Sequence, residues 1–259
     1  MNQTLHVAIL VCRRSRNFPI DNGCLTLKLL KGVKAVLFDI DDTLFDTATL
    51  AKMARVNAVK AMVESGLPIH DVQKGYKSLV KIVEEYGANY DQHFDRLLEV
   101  FGHKQDPKVI AAGIVAYHDT KLAYLKPDPD VIPTLIALRD KGCKIGIVSN
   151  GRSVKQWEKI IRLGLQHFFH TVVISEEVGV EKPESKIFDI ALKKLHVNAD
   201  EAVYVGDTLE TDVFGANKAG LVSVRLLKRK RKESPLDRTM RPKVTIRRIS
   251  ELLSILRTT

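Results

Sequence analysis

Short apolar runs that alternate with helix-like segments constrain the fold of this chain most strongly. Runs of this kind, apolar nearly throughout, are typical of strands buried on both faces of a sheet. Strands that follow one another through helices pair in parallel. The predicted elements are helix 131–141, strand 144–148, helix 153–163, strand 171–174, helix 184–195, strand 202–205, helix 211–219, strand 221–226, a short strand near 244–246 and helix 250–256. The alternation predicts an α/β fold with a doubly wound, mostly parallel sheet.

The chain leaves this alternation after its first predicted strand, Ala35–Phe38. The next eighty or so residues have apolar positions at helical spacing, interrupted by glycine and proline. The helices predicted there cover 49–65, 71–86, 91–101 and a segment opened by Asp106-Pro107. We therefore predict an N-terminal extension at 1–33, a Rossmann-like core at 34–46 and 127–259, and an inserted helical cap domain at 47–126.

Two of the predicted strands end directly in aspartate-rich motifs. Asp39-Ile40-Asp41-Asp42-Thr43 follows the first strand, and a motif that contains Asp207 and Asp212 follows strand 202–205. In an open α/β sheet, ligands bind at the carboxyl ends of the strands. If the two strands are neighbours, one crevice holds the carboxylates of Asp39, Asp41, Asp207 and Asp212. These four groups repel one another unless a cation lies among them. Oxygen ligands of this kind suit Mg²⁺ bound beside a phosphate.

Two further segments lie between the aspartate motifs. Ser149-Asn150-Gly151 follows strand 144–148, and Lys182-Pro183 precedes helix 184–195. In this order, the four segments resemble the motifs of the haloacid dehalogenase superfamily, in its phosphatase branch. The helical insertion resembles the small cap of the phosphoglycolate phosphatase-like and archaeal glyceraldehyde 3-phosphate phosphatase branch.

The resemblance implies a role for each charged motif residue. Asp39 would be the nucleophile that forms an aspartyl-phosphate, and Asp41 the general acid–base. Lys182 would neutralise Asp39 and the transferring phosphoryl group. The Mg²⁺ site would use the Asp39 carboxylate, the Asp41 backbone carbonyl and Asp207, while Asp212 would act through a water or from farther away.

Four other residues would bind the phosphate or the substrate. Thr43 would brace the loop that carries the nucleophile. Ser149 and the backbone at Asn150 would donate hydrogen bonds to phosphate oxygens at a helix N-terminus, and the Asn150 side chain could also reach the substrate. Glycine at position 151 allows a close approach of the backbone.

The implied reaction is Mg²⁺-dependent hydrolysis of a small phosphorylated metabolite, such as phosphoglycolate, glyceraldehyde 3-phosphate or a sugar phosphate. Asp41 argues against a dehalogenase, because that branch lacks an acid at this position. A phosphomutase related to β-phosphoglucomutase keeps both aspartates, and the motifs leave that alternative open.

The formal net charge of +10 is concentrated in two segments. Residues 225–248 hold eleven Lys or Arg and two acidic residues. Residues 1–34 hold six Lys or Arg and one acidic residue. The basic run 228–232 could contact nucleic acid. No aromatic side chains accompany it to stack on bases, however, so we interpret it as a solvated connection. A nucleic-acid-contacting protein stays the weaker alternative.

Other features of the sequence predict a cytoplasmic protein without a membrane partner. No run reaches 18 apolar residues, and the N-terminus does not have the pattern of a signal peptide. Cys12, Cys24 and Cys143 are odd in number and show no metal-ligand spacing, which predicts reduced thiols. We expect a monomer or a homodimer.

Overall fold

The computed structural model describes residues 30–228 and 237–257 of the chain. The strands in these ranges are β1 (Leu30–Lys31), β2 (Ala35–Phe38), β3 (Lys144–Ser149), β4 (Thr171–Ile174), β5 (Ala202–Gly206), β6 (Val222–Leu226), β7 (Val244–Ile246) and β8 (Leu256–Arg257). Their helices are α1 (Thr47–Ser65), α2 (Val72–Tyr86), α3 (His93–Val100), α4 (Pro107–Tyr124), α5 (Val131–Asp140), α6 (Ser153–Arg162), α7 (Ser175–Val178), α8 (Ser185–Leu195), α9 (Phe214–Lys218) and α10 (Leu252–Ile255).

Six of the described strands form one sheet in the spatial order β4-β3-β2-β5-β6-β7, and every neighbouring pair is parallel. The chain builds the sheet outward from β2 in one direction and then returns to add β5, β6 and β7 on the other side. The strand order therefore reverses between β2 and β5, where open α/β sheets bind ligands. This topology confirms the predicted doubly wound, parallel α/β fold.

Helices cover both faces of the sheet because successive residues of a strand point in opposite directions. Val36 and Phe38 pack into an apolar cluster with α5, α6 and α10, while Ala35 and Leu37 pack into a second cluster with α8 and α9. Burial on both faces explains why β2 is apolar at every position.

Helices α1 to α4 lie in the chain between β2 and α5 and have an apolar cluster of their own. It includes Val59, Met62, Leu79 and Leu97, all at most 1% exposed. As predicted, the Asp106 side chain caps α4 through the backbone N–H groups of its first turn. A separate core is what an inserted cap domain requires. The division of the chain into cap and core stays a prediction.

Two segments connect helices α1 to α4 to the sheet, and they lie side by side. The backbone N–H of Asp128 donates to the carbonyl of Leu44 at 3.0 Å. Lys228 pairs with the Asp128 carboxylate and donates a 2.9 Å hydrogen bond to the carbonyl of Thr43. Lys228 is thus anchored at this connection, contrary to its interpretation as part of a solvated run. Residues 229–232 lie outside the described ranges.

The ends of the chain differ from the sequence predictions in detail. The segment predicted as helix 250–256 is a 3₁₀ turn, Ile249–Glu251, followed by α10 and β8. Strand β8 pairs in parallel with β1, which falls inside the predicted N-terminal extension. Residues 1–29, with Cys12 and Cys24, lie outside the described ranges, and Cys143 is a buried free thiol. None of the described helices is both long and apolar enough to cross a bilayer.

Candidate active site

The carboxyl ends of two adjacent strands bring three of the predicted aspartates together. Asp39 follows β2, the central strand, and Asp207 follows β5 beside it. Carboxylate oxygens of Asp39, Asp207 and Asp212 lie within 4.8 Å of one another, and all three residues are buried. This all-oxygen set could hold a divalent metal ion.

Asp39 presents its two carboxylate oxygens to different surroundings. Oδ1 accepts hydrogen bonds from Lys182 Nζ at 2.7 Å and from Ser149 Oγ at 2.9 Å. Among the described residues, none donates a hydrogen bond to Oδ2. Burial raises the pKa of Asp39 to about 6, although the Lys182 ammonium opposes the shift. One oxygen is held in place, and the other is left for a ligand.

Lys182 is the centre of a buried polar network. Its Nζ donates to Asp39 Oδ1 and to Asp212 Oδ1, each at 2.7 Å, and to the Tyr204 hydroxyl at 2.9 Å. Burial acts to lower the pKa of Lys182, but the carboxylates of Asp212 and Asp39 outweigh it and raise the pKa above its ordinary value. The lysine therefore stays charged, and all three of its protons have acceptors.

Tyr204 belongs to this network, although the sequence analysis treated it only as part of a strand. Its hydroxyl lies 2.9 Å from the carbonyl of Val148 and 3.1 Å from Asp212 Oδ1, and its single proton can be donated to either. Burial, followed by the nearby Asp212 and Asp39 carboxylates, raises the pKa of Tyr204 well above its ordinary value. A tyrosine in an otherwise aliphatic strand was the signal that could have identified it.

The motif that contains Asp207 and Asp212 adopts a π-helical turn, Leu209–Val213, where the sequence predicted the start of helix 211–219. This wider turn places Asp212 back over the end of β5, where Thr208 N–H donates to Asp212 Oδ2 at 3.0 Å. A Cβ on Gly206 would lie 2.4 Å from the Asp212 carboxylate, so only glycine fits there. The Thr208 hydroxyl also donates to Asp207 Oδ1 at 3.0 Å.

The Asn150 side chain binds the backbone of Lys182 at both of its polar atoms. Oδ1 accepts from the Lys182 N–H at 2.8 Å, and Nδ2 donates to the Lys182 carbonyl at 3.0 Å. Gly151, at a φ of +136°, donates its N–H to Ser175 Oγ at 3.0 Å. In this structure the Asn150 amide positions Lys182, and its predicted contact with a substrate stays untested.

Asp41 lies at the edge of the site, about one third exposed, in contact with two elements. Lys159 Nζ, from α6, donates to both Asp41 oxygens at 2.6 and 2.8 Å. The hydroxyl of Thr47, the first residue of α1, donates to Asp41 Oδ1 at 2.9 Å. The sequence pattern indicates neither partner, because Thr47 and Lys159 each fit an ordinary helix position.

Two further side chains, Thr43 and Gln156, are buried next to the charged residues of the site. Thr43 is fully buried, and its hydroxyl has no hydrogen-bond partner among the described residues. The Thr43 side chain thus lies below the surface of the cleft. Gln156, which the sequence analysis missed, donates from Nε2 to the Asn150 carbonyl at 2.7 Å and to Ser149 Oγ at 3.0 Å.

Several known proteins are similar to this chain in sequence or in structure. Residues 33–220 match the family model of haloacid dehalogenase-like hydrolases. A glyceraldehyde 3-phosphate phosphatase from Methanopyrus kandleri is 53% identical over 227 residues, which cover 87% of this chain and 97% of that protein. One from Methanocaldococcus jannaschii is 41% identical over 225 residues, with 87% and 97% covered. The crystal structure of an HAD phosphatase from Thermococcus onnurineus is similar, with a TM-score of 0.61, 29% identity, and 86% and 97% covered.

Proposed function

This chain belongs to the haloacid dehalogenase-like hydrolase family, and we propose that it removes phosphate from glyceraldehyde 3-phosphate or a similar small ester with the help of Mg²⁺. The observation that carries the proposal is the buried carboxylate of Asp39. One of its oxygens is bound by Lys182 and Ser149, while no described residue donates to the other. Such an arrangement suits a nucleophile that must point one oxygen at phosphorus.

The reaction would proceed in two displacements. In the first, Asp39 Oδ2 attacks phosphorus, the bond to the ester oxygen breaks, and Asp41 gives its proton to the leaving alcohol. In the second, Asp41 takes a proton from water, whose oxygen attacks phosphorus and releases Asp39 as a free carboxylate. Lys182 stays protonated throughout and offsets negative charge on Asp39 and on the phosphoryl group.

The residues at the strand ends fit a divalent cation. Within the described part of the chain, the carboxylates of Asp39, Asp207 and Asp212 converge, while Lys182 is the cation that binds two of them. Oxygen is the only donor atom that these carboxylates offer, which favours a hard cation such as Mg²⁺. Asp39, Asp207 and the Asp41 backbone carbonyl would hold it, and the ion would neutralise charge on the phosphate when bound.

The choice of first substrate comes from the relatives. Two glyceraldehyde 3-phosphate phosphatases are 53% and 41% identical to this chain, each matched over 97% of its length. Phosphoglycolate and sugar phosphates are the next candidates, because the sequence predicts only a small phosphorylated metabolite. The predicted cytoplasmic location, the monomeric or homodimeric state and the lack of a nucleic acid partner stay predictions.

The test is to measure phosphate release by the purified full chain with Mg²⁺ from glyceraldehyde 3-phosphate, phosphoglycolate and a set of sugar phosphates. We expect release from all three classes to be measurable, with the highest kcat/KM for glyceraldehyde 3-phosphate. Isomerisation of a sugar phosphate without phosphate release would favour the phosphomutase alternative. No phosphate release from any ester, with either Mg²⁺ or Mn²⁺, would refute the proposed function.

A further inference from the structure

Asp41 is held by a lysine of its own, separate from the lysine that holds Asp39. Lys182 binds Asp39 in the buried network, while Lys159 binds both oxygens of Asp41 at 2.6 and 2.8 Å. These two aspartates lie in one loop, only two residues apart. Each lysine comes from a different segment of the chain, so each carboxylate has a cation of its own.

We propose that Lys159 is a positioning residue that sets the orientation of the Asp41 carboxylate. The inference rests on the proposed function, in which Asp41 exchanges protons with the leaving group and with water. It adds a residue that lies outside the four motifs: Lys159 is on α6, 118 residues after Asp41.

Lys159 is the side chain that contacts both carboxylate oxygens of Asp41. The backbone of the loop is already fixed, since Leu44 N–H donates to the Ile40 carbonyl at 2.9 Å and Asp42 N–H to Thr47 Oγ1 at 3.0 Å. The Asp41 side chain can still rotate relative to this backbone, and its rotation determines which way both carboxylate oxygens face. Thr47 binds only Oδ1 and Gln156 Nε2 reaches only Oδ2, at 3.5 Å, whereas Lys159 binds both oxygens at shorter distances.

The degree of burial also suits a positioning role. The side chains of Lys159 and Asp41 are 24% and 34% exposed. For comparison, the pair Lys60–Glu64 is 65% exposed on both sides and 3.9 Å apart. A highly exposed ion pair fixes the orientation of its two side chains poorly. The Lys159 pair is short and partly shielded, yet open enough for a substrate to reach Asp41.

Orientation matters because proton transfer requires hydrogen-bond contact with the reacting oxygen. A displacement of about 1 Å in a reacting group can cost on the order of 10²-fold in rate. Without Lys159, the Asp41 carboxylate would keep its place in the loop but could turn away from the leaving group. The rate should therefore fall most where protonation of the leaving group is most needed.

The experiment compares Lys159→Gln, Lys159→Met and Lys159→Arg with Lys155→Gln. Lys155 is the matched control, since it lies one turn earlier on α6 and donates to Asn89 Oδ1 at 3.0 Å instead of Asp41. Each variant is assayed on glyceraldehyde 3-phosphate, or the best alkyl ester found, and on p-nitrophenyl phosphate, whose phenolate needs little protonation. Melting temperatures report whether each variant is folded.

We expect Lys159→Gln and Lys159→Met to lower kcat on the alkyl ester roughly 10- to 100-fold. KM should change much less, and p-nitrophenyl phosphate turnover only a few-fold. Lys159→Arg, which keeps the charge and the donors, should restore most of the rate, and Lys155→Gln should behave like the wild type. In an Asp41→Asn background, Lys159→Gln should cause little further loss.

Three results would overturn the inference while the proposed function survives. They are an active wild type with unchanged Lys159 variants, equal losses on the alkyl and aryl esters, and losses that multiply fully in the Asp41→Asn, Lys159→Gln double variant. A wild-type chain that releases no phosphate from any ester would overturn both proposals together.

Discussion

Lys182 donates a hydrogen bond of 2.7 Å to Asp39, although 143 residues separate the two in the chain. The contact is buried and belongs to a network in which Asp212 and Tyr204 also bind the ammonium. It brings a cation to the carboxylate that we propose as nucleophile and leaves one Asp39 oxygen without a protein donor among the described residues.

Replacing Asp39 by asparagine should abolish phosphatase turnover, because an amide cannot supply the attacking carboxylate. We expect a loss on the order of 10⁴-fold or more in kcat. The variant should stay folded, since asparagine occupies the same volume. Steady-state kinetics on freshly purified protein, checked by mass spectrometry for deamidation, measures the effect. Substantial activity in non-deamidated protein would contradict the assignment.

Asp41→Asn should depend on the leaving group in a way that Asp39→Asn does not. A positioned general acid typically contributes ~10²–10⁴-fold when the leaving group is a poor one. Alkyl phosphates should therefore lose far more rate than p-nitrophenyl phosphate. Measuring kcat for both esters with each variant tests this. Equal losses on both esters would mean that Asp41 serves the loop or the metal instead.

The activity should require a hard divalent cation. We expect EDTA to remove activity and Mg²⁺ to restore it, with Mn²⁺ or Co²⁺ as substitutes, while Ca²⁺ fails because its looser coordination positions the groups poorly. Asp207→Ala should weaken the apparent Mg²⁺ affinity more than Asp212→Ala, because we propose a direct bond only for Asp207. A larger loss of Mg²⁺ affinity in Asp212→Ala would assign the direct bond to Asp212. Full activity after exhaustive chelation would show that the reaction needs no metal ion.

The affinity for Mg²⁺ should also depend on pH. Burial raises the pKa of Asp39 to about 6, so in the metal-free protein a proton occupies this carboxylate at lower pH. Mg²⁺ and this proton compete for the Asp39 carboxylate, so binding of the ion releases the proton. Apparent Mg²⁺ affinity, measured by calorimetry, should fall as the pH decreases through about 6. An affinity that is flat across this range would contradict the assigned shift.

Asp212→Ala should reduce the stability of the metal-free fold. Asp212 is 1% exposed and binds Lys182 Nζ and the Thr208 N–H, so its loss removes a partner from a buried ammonium. We expect a loss of about 1–3 kcal/mol in the free energy of unfolding, the cost of leaving a buried donor unsatisfied, because Lys182 keeps Asp39 as an ion-pair partner. The matched control is Glu64→Ala, which breaks an exposed pair and should change stability by less than about 1 kcal/mol. Similar urea midpoints for both variants would contradict the network.

Much of the fold and the motif residues could be predicted because their signals are local. Apolar runs at strand length predicted the parallel sheet, and the ends of β2 and β5 do bring Asp39 and Asp207 together. The π-helical turn at Leu209–Val213 could not be predicted, since no local pattern separates it from the first turn of an α-helix.

The supporting residues were harder to predict for a physical reason. Tyr204 has the apolar sequence neighbours of any buried strand residue, and Lys159 has the position of any helix-surface lysine. Their roles come from contacts with residues far away in the chain, which no window of sequence contains. Lys228 shows the same limit: within a basic run it looks solvated, but it binds Asp128 and the Thr43 carbonyl.

The central claim is that Asp39 becomes phosphorylated during turnover, and acid-quenched peptide mass spectrometry tests it most directly. The enzyme is mixed with saturating substrate and Mg²⁺, quenched in acid to preserve acyl phosphates, digested and sequenced. We predict one added phosphoryl group on the peptide that contains Asp39, localised to that residue and missing from Asp39→Asn. A phosphoryl group on any other residue, or its persistence in Asp39→Asn, would contradict the account.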